Sequence, residues 1–267
     1  MWQGLGYYRR ARNLHAAAKM IIDEFHGKIP RTAKGLIQLP GVGRYTSGAI
    51  ASIVFGLKEP IVDGNVKRVL ARFDALEGEL RDHEKRFWTR AGELVQQAER
   101  PGVFNEALME LGAVVCTKGQ PKCSCCPVAD LCKARRTGKQ NEIPKPARPA
   151  PRMTVHHHAV IVRRGKKILL ERRPERGLWS NMWQPPTVEA DRALTPRAIR
   201  KTLALPLEGM SKKRTFEHQT THRRVVFHVY EARSKSRRGT WRALNDLSDL
   251  PMSNAHRHVL ELDLITI

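Results

Sequence analysis

All five cysteines fall between Cys116 and Cys132. Four of them form the series Cys116-x6-Cys123-x2-Cys126-x5-Cys132. That supplies the thiolate count for either one zinc ion or one iron–sulfur cluster. An odd number packed so closely argues against a disulfide framework. Zinc ribbons usually pair two Cys-x2-Cys knuckles, and only one occurs here; Cys125 has no place in the pattern and reads as a free thiol. A second chemical stretch lies upstream, at Leu39-Pro40-Gly41-Val42-Gly43-Arg44-Tyr45. Gly41 and Gly43 lack Cβ, so backbone there can take positive φ and bring N–H groups against an anion such as a phosphate. A Gly-rich interhelical turn would look the same. Asp63 follows, ahead of Gly64-Asn65-Val66-Lys67. It sits where a helix N-cap would be, and its carboxylate could equally stabilise a developing positive charge.

These groups need elements to hold them. Thr32 to Leu39 reads as a short capped helix entering the glycine pair, and Tyr45 to Phe55 as a helix leaving it. Together they make a helix-hairpin-helix. Ala11, Leu14, Ala18, Ile21 and Phe25 recur at spacings of three and four, which predicts one buried helix face. Val66, Val69, Leu70 and Phe73 mark another helix, Glu84 to Glu99 a more exposed one, and Phe104, Leu108, Leu111 and Val115 a helix running into Cys116. Everything up to Cys132 is helical by pattern. Pro144, Pro146, Pro149 and Pro151 then mark a linker.

Beyond the linker the period becomes alternating. His158 to Val162 and Lys167 to Glu171 read as a hairpin across Gly165, and Val225, Phe227 and Val229 as a later strand, with helices at Leu194 to Leu205 and Asn254 to Leu262. The expected organisation is an all-α domain over 1–139, a linker over 140–153 and an α+β domain over 154–267. His156-His157-His158 is assigned a strand-entry role rather than a metal site, and Trp179 and Trp183 a place in the core.

The 267 residues carry 48 Lys and Arg against 26 Asp and Glu, a formal +22. That surplus, spread along the chain, favours a polyanionic partner, with nucleic acid first. Lys118, Lys122, Lys133, Arg135 and Arg136 around the cysteine loop suit phosphate contacts or plain solvation. The start has none of the layout of a signal peptide and no apolar run spans a bilayer. The expectation is an intracellular protein, cytoplasmic and nucleoid-associated, with no membrane partner.

The order hairpin, aspartate, cysteine loop resembles that of the helix-hairpin-helix DNA glycosylases. Gly4-Leu5-Gly6-Tyr7-Tyr8, Asp63-Gly64-Asn65-Val66 and Phe104-Asn105-Glu106-Ala107 resemble, within that superfamily, the MutY-type adenine DNA glycosylases. The resemblance implies a [4Fe-4S] cluster on Cys116, Cys123, Cys126 and Cys132, and a monomer acting on double-stranded DNA with adenine opposite 8-oxoguanine or guanine. It implies Asp63 as the carboxylate that stabilises an oxocarbenium-like sugar, supported by Asn65 and Tyr45, and Glu106 as lining for the flipped adenine. Gly41, Val42, Gly43 and Lys67 would contact phosphates, and Tyr7 with Leu5 would wedge beside the lesion. Without the family, Tyr7 reads as a core aromatic.

Endonuclease III enzymes carry a Schiff-base lysine eighteen residues before the aspartate, where this chain has Tyr45. A phenol forms no imine, so a monofunctional enzyme is expected. The second domain resembles the Nudix-like lesion-recognition domain of the family, through Arg173-Pro174-Glu175-Arg176-Gly177-Leu178-Trp179 and Thr220-Thr221-His222. Where relatives often have Phe-Ser-His, Thr221 and His222 are the expected lesion contacts. The acidic residues of a hydrolytic Nudix helix are absent around Leu194 to Leu205, so no pyrophosphohydrolase activity is expected. Family members carry further helices before the Gly-Leu-Gly-Tyr-Tyr loop, with a catalytic glutamate. This chain begins just ahead of that loop, so no residue here is assigned that acid's role, and the expectation is either a start site placed too far downstream or a truncated gene. Two rival readings stand beside excision: a mismatch-binding protein that excises nothing, and an endonuclease III-like lyase, which Tyr45 disfavours.

Overall fold

The computed structural model describes residues 7–146 and 152–261. Contacts divide the chain into two compact units, Arg9–Pro149 and Ala150–Ile267 with Met1–Tyr8.

The helical unit begins with α1 (Arg9–Asp23), α2 (Ala33–Leu36) and α3 (Arg44–Ala49), which continues as a π-helical turn over Ile50–Val54. Thr32 caps α2 by accepting from the Gly35 N–H at 3.2 Å. The loop to α4 (Gly64–Phe73) ends at Asp63, whose side chain caps that helix. After α5 (Glu84–Gln96), α6 (Pro101–Glu110) runs into a second π-helical turn, Leu111–Val115, and α7 (Lys133–Arg136) follows the cysteine loop. Val66 and Leu70 of α4 pack with Phe87 and Ala91 of α5, Ala134 and Ile143 in one core. A smaller core joins Ala17, Leu36, Leu39 and Ala51.

Two expectations need correction here. The stripe through Leu14 and Ala18 is not the buried face of α1, since both are exposed and Leu14 is 65% accessible. The helix meets α2 and the π-helical turn through Ala17 and Met20 together with Ile21 and, just past its end, Phe25, the last two being the C-terminal part of the expected stripe. The linker also starts later than its composition suggests. Ile143 is buried, and the Lys145 N–H donates to the Gly78 carbonyl at 3.0 Å, so the chain up to there is part of the helical unit.

The second unit is a seven-stranded mixed sheet of β1 (Met153–Arg164), β2 (Lys167–Arg172), β3 (Trp183–Gln184), β4 (Thr187–Ala190), β5 (Glu208–Gln219), β6 (Arg223–Arg233) and β7 (Thr240–Ala243). The path is β3-β2-β1-β6-β5, with β4 on β1 and β7 on β2. β1 and β6 pair in parallel from Met153↔Arg223 to Arg163↔Arg233, whereas the other pairings are antiparallel. Both faces are covered. Ala159, Ile161, Phe227 and Val229 pack against Ala255 and Val259 of α9 (Asn254–Val259). Val160, Val162 and Tyr230 pack with Ile199 of α8 (Pro196–Leu203). A strand buried on both faces reads as a continuous apolar run, which is why residues 157–162 are all buried.

The three histidines do not mark a strand entry, since β1 starts at Met153. They lie within the strand, on alternate faces as its pleat requires. His156 and His158 stack with His228, at centroid distances of 5.2 and 4.8 Å, and His157 lies edge-on to Phe227 and Trp179 on the other face.

Candidate active site and cysteine loop

Gly41 has φ +82°, and a Cβ placed there would stand 2.6 Å from Asn13 Cβ, so conformation and space both demand glycine. Gly43 differs from the expectation. Its backbone is extended, with φ −93°, open space surrounds its missing Cβ, and its carbonyl accepts from Ser47 N–H at 2.9 Å as α3 begins. The Val42 N–H donates to the Leu39 carbonyl and so closes the hairpin itself.

Asp63 is half-buried at the start of α4. One carboxylate oxygen accepts from Val66 N–H at 2.7 Å and the other from Asn65 Nδ2 at 3.2 Å. Asn65 Oδ1 accepts from Arg68 Nη2 at 2.8 Å, and the same guanidinium donates to the Gly112 carbonyl at 2.6 Å and, through Nε, to the Cys116 carbonyl at 2.8 Å. A continuous hydrogen-bonded chain therefore runs from Asp63 to the backbone of the first cysteine. Gly112 allows this approach, because a Cβ there would lie 2.7 Å from Asn65 Cβ.

Three segments meet beside the loop that leads to Asp63. Tyr45, 40% accessible on α3, donates its hydroxyl to Met109 Sδ of α6 at 3.5 Å, so α6, which also carries the exposed Glu106, lies alongside α3. Asn105 is buried between them. Its Nδ2 donates to Ser52 Oγ and to the Glu59 carbonyl, both at 2.9 Å, and Ser52 Oγ donates to the Gly48 carbonyl at 2.8 Å. Gly48 faces the segment leading to Asp63 so closely that a Cβ would fall 2.3 Å from the Pro60 oxygen. Asn105 belongs to the Phe104-Asn105-Glu106-Ala107 motif without a role of its own in it. Its signal was an amide in an otherwise apolar helical stretch, which demands buried partners.

Lys67 does not stand free for a phosphate, since its ammonium is 2.5 Å from Glu84 Oε2. That hydrogen bond holds the Glu84 carboxyl below its usual range. Arg44 lies over the Trp88 ring at 3.9 Å. Tyr7 is 72% accessible with φ +45°, not a core aromatic, and Leu5 lies outside the described residues.

Cys116, Cys123, Cys126 and Cys132 line one pocket together with Val69, Arg72 and Leu111. Cys125 is exposed and donates instead to the Lys122 carbonyl at 3.4 Å. Among the described residues no three side chains of ligand type converge on a single point. The thiols surround a volume instead. Burial, and then the three neighbouring sulfurs, push the Cys123 thiol up. Arg72, only 3% accessible, faces the cavity and donates from Nη1 to Cys116 Sγ at 3.3 Å.

In the second unit Thr220 closes the β5–β6 turn. Its Oγ1 accepts from Arg223 N–H at 3.0 Å and donates to the Arg223 carbonyl at 3.1 Å. Thr221 and His222 are left exposed at the tip. Arg173 is buried and ties its own loop together, with Nε on the Leu178 carbonyl and Nη1 on Gln184 Oε1, both at 2.7 Å, and Nη2 on Glu189 Oε1 at 2.5 Å. Trp179 and Trp183 pack against the core as expected.

The HhH-GPD superfamily of base excision DNA repair proteins matches residues 1–96, and the NUDIX domain matches residues 157–262. The chain is 41% identical over 219 residues to an adenine DNA glycosylase of Arabidopsis thaliana, covering 74% of this chain and 34% of that protein. It is 36% identical over 285 residues to the adenine DNA glycosylase of Homo sapiens, covering 86% and 52%. A third, of Buchnera aphidicola, is 28% identical over 276 residues, covering 98% and 78%. The chain thus spans about half the length, or less, of the first two relatives. The chain is similar to adenine DNA glycosylases, with the HhH-GPD match in its helical unit and the NUDIX match in the unit built on a mixed sheet.

Proposed function

We propose that this chain carries the sugar-stabilising half of an adenine DNA glycosylase that hydrolyses the N-glycosidic bond of adenine opposite 8-oxoguanine or guanine. The observation that carries this is Asp63. It is a carboxylate fixed on both oxygens by Val66 N–H and Asn65 Nδ2, and tied through Arg68 to the cysteine loop. Departure of the base leaves positive charge at C1′, and an oriented carboxylate that needs no reorganisation stabilises it. Asn65 holds Asp63, Tyr45 stands where a lyase would need an amine, and Glu106 lies on the helix beside Tyr45. The reading is therefore a monofunctional enzyme that leaves an abasic site. Gly41 and Gly43 are assigned to phosphate backbone, Tyr7 to the stack beside the lesion, and Thr221 and His222 to the 8-oxoguanine. No pyrophosphate hydrolysis is assigned to the second unit.

The cysteine cavity suits a [4Fe-4S] cluster held by Cys116, Cys123, Cys126 and Cys132. Four thiols around a volume fit a cube of iron and sulfide better than one zinc ion, which draws its four ligands to about 2.3 Å. The buried Arg72 cation on its wall also suits an occupant of net negative charge. When bound, such a cluster supplies structural order and DNA positioning; the bond-breaking chemistry belongs to the side chains.

A single-turnover assay on a duplex with adenine opposite 8-oxoguanine tests the proposal. Free adenine is expected without strand nicking until base is added, and Asp63→Asn should slow release by about a hundred- to thousandfold. Mispair binding with no adenine released at long times would overturn excision in favour of a mismatch-binding protein.

A further inference from the structure

Arg72 reaches in two directions. Nη1 donates to Cys116 Sγ at 3.3 Å and to the Thr117 carbonyl at 2.8 Å, while Nε donates to the Ile143 carbonyl at 2.8 Å. Its own carbonyl accepts from Cys132 Sγ at 3.4 Å. One buried residue thus joins the first cysteine of the series, through its guanidinium, and the last, through its carbonyl, to the start of the segment that leads out of the helical unit. None of these acceptors is a carboxylate. Ile143 packs in the same core as Val66, Leu70 and Phe87, and Lys145 N–H is held by Gly78.

We propose that Arg72 is a positioning residue that fastens residues 139–146 to the cysteine loop, so that loading of the loop with its cluster fixes the beginning of the linker. The proposal rests on the cluster assignment above. A ligated sulfur carries negative charge and accepts a strong hydrogen bond from a guanidinium, whereas an unligated thiol is a weak acceptor. With the loop empty, Arg72 is a buried cation with neutral partners, an arrangement that favours its withdrawal toward water. Withdrawal also takes the donor from Ile143. With the loop loaded, the cation is held at Cys116 and the linker root is held with it.

Hydrogen exchange read by mass spectrometry on the full-length, iron-loaded chain tests this, with residues 87–95 of α5 as internal reference. The amides of Glu142, Ile143 and Lys145 should be protected in the loaded protein. Arg72→Gln should speed exchange in 139–146 by about ten- to hundredfold, the loss expected for one hydrogen bond to a charged group, with the reference unchanged. Oxidative removal of iron from the unsubstituted chain should give the same rise in 139–146 before the reference segment opens. Exchange in 139–146 that ignores both changes overturns the proposal. Should Arg72→Gln fail to hold iron, Arg72→Lys keeps the cation but cannot span both acceptors; exchange there equal to that of the unsubstituted chain overturns the proposal too. Failure of the cluster assignment shows separately, as a purified chain without broad visible absorption.

Discussion

The two units differ in one class of side chain they bury, the imidazole, which only the second unit places in its core among the described residues. In the helical unit Asn105 and Arg72 lie inside with their donors spoken for, and they join segments far apart in sequence. In the second unit, among the described residues, four of the ten buried polar side chains are imidazoles, held neutral by a dry environment. Desolvation pushes His157 and His228 down to about 4, and lowers His158, His218 and His256 as well. Burying a partnered amide or guanidinium fixes geometry at any ordinary pH. Burying an imidazole makes the fold conditional on the proton concentration.

The sharpest way to break the comparison on the helical side is Gly48→Ala. Its Cβ would need the space of the Pro60 oxygen, a backbone atom. A loss of about 3 kcal/mol or more is expected. Calorimetry on the full chain should show the helical transition falling while the second unit melts as before.

Acid is the next largest lever, and it should act on the other unit. His157 has a folded value of about 4 against 6.5 unfolded, so the native state binds fewer protons between those limits. The stability this contributes is fully present above pH 6.5 and is lost as pH falls toward 4. The loss from His157 alone is on the order of 3 kcal/mol. Tryptophan fluorescence during thermal melts from pH 7 to pH 4 should show the sheet unit weakening first. Equal weakening of both units would erase the distinction drawn here.

Smaller effects sharpen it. Thr220→Val removes the hydroxyl that closes the β5–β6 turn, and should cost about 1 kcal/mol. It should also weaken discrimination of 8-oxoguanine from guanine in a binding titration, because the turn that presents Thr221 and His222 loosens. Smallest of all is Gly43→Ala. With extended backbone and open space around the site, a change within about 0.5 kcal/mol is expected in a urea melt, whereas Gly41→Ala should be clearly destabilising.

What could be read from the chain depended on how local the signal was. The cysteine spacing, the hairpin and the capping of α4 by Asp63 involve residues a few positions apart, and each was legible. The face of α1 was legible only at Ile21 and Phe25, because spacings of three and four are met by more than one stripe and only the neighbouring elements decide between them. The histidine run was misplaced for a related reason. Position along a strand depends on where pairing with β6 begins, and that is written in residues far downstream. Asn105, Arg68 and Arg72 were passed over because their partners lie 44 to 71 positions away. Family likeness supplied roles for Asp63 and Glu106. The links among them emerged only from packing.

The parallel pairing of β1 with β6 has a consequence for how the chain is made. Met153 finds its β6 partner only when Arg223 has left the ribosome, so β1 emerges with a run of buried-type residues and, until then, only β2 and β4 to pair with. The helical unit, complete by then, can already be folded upstream. Non-local pairing of this kind slows folding and leaves sticky intermediates. The nascent second unit is therefore the place where a destabilising substitution should first appear as lost yield.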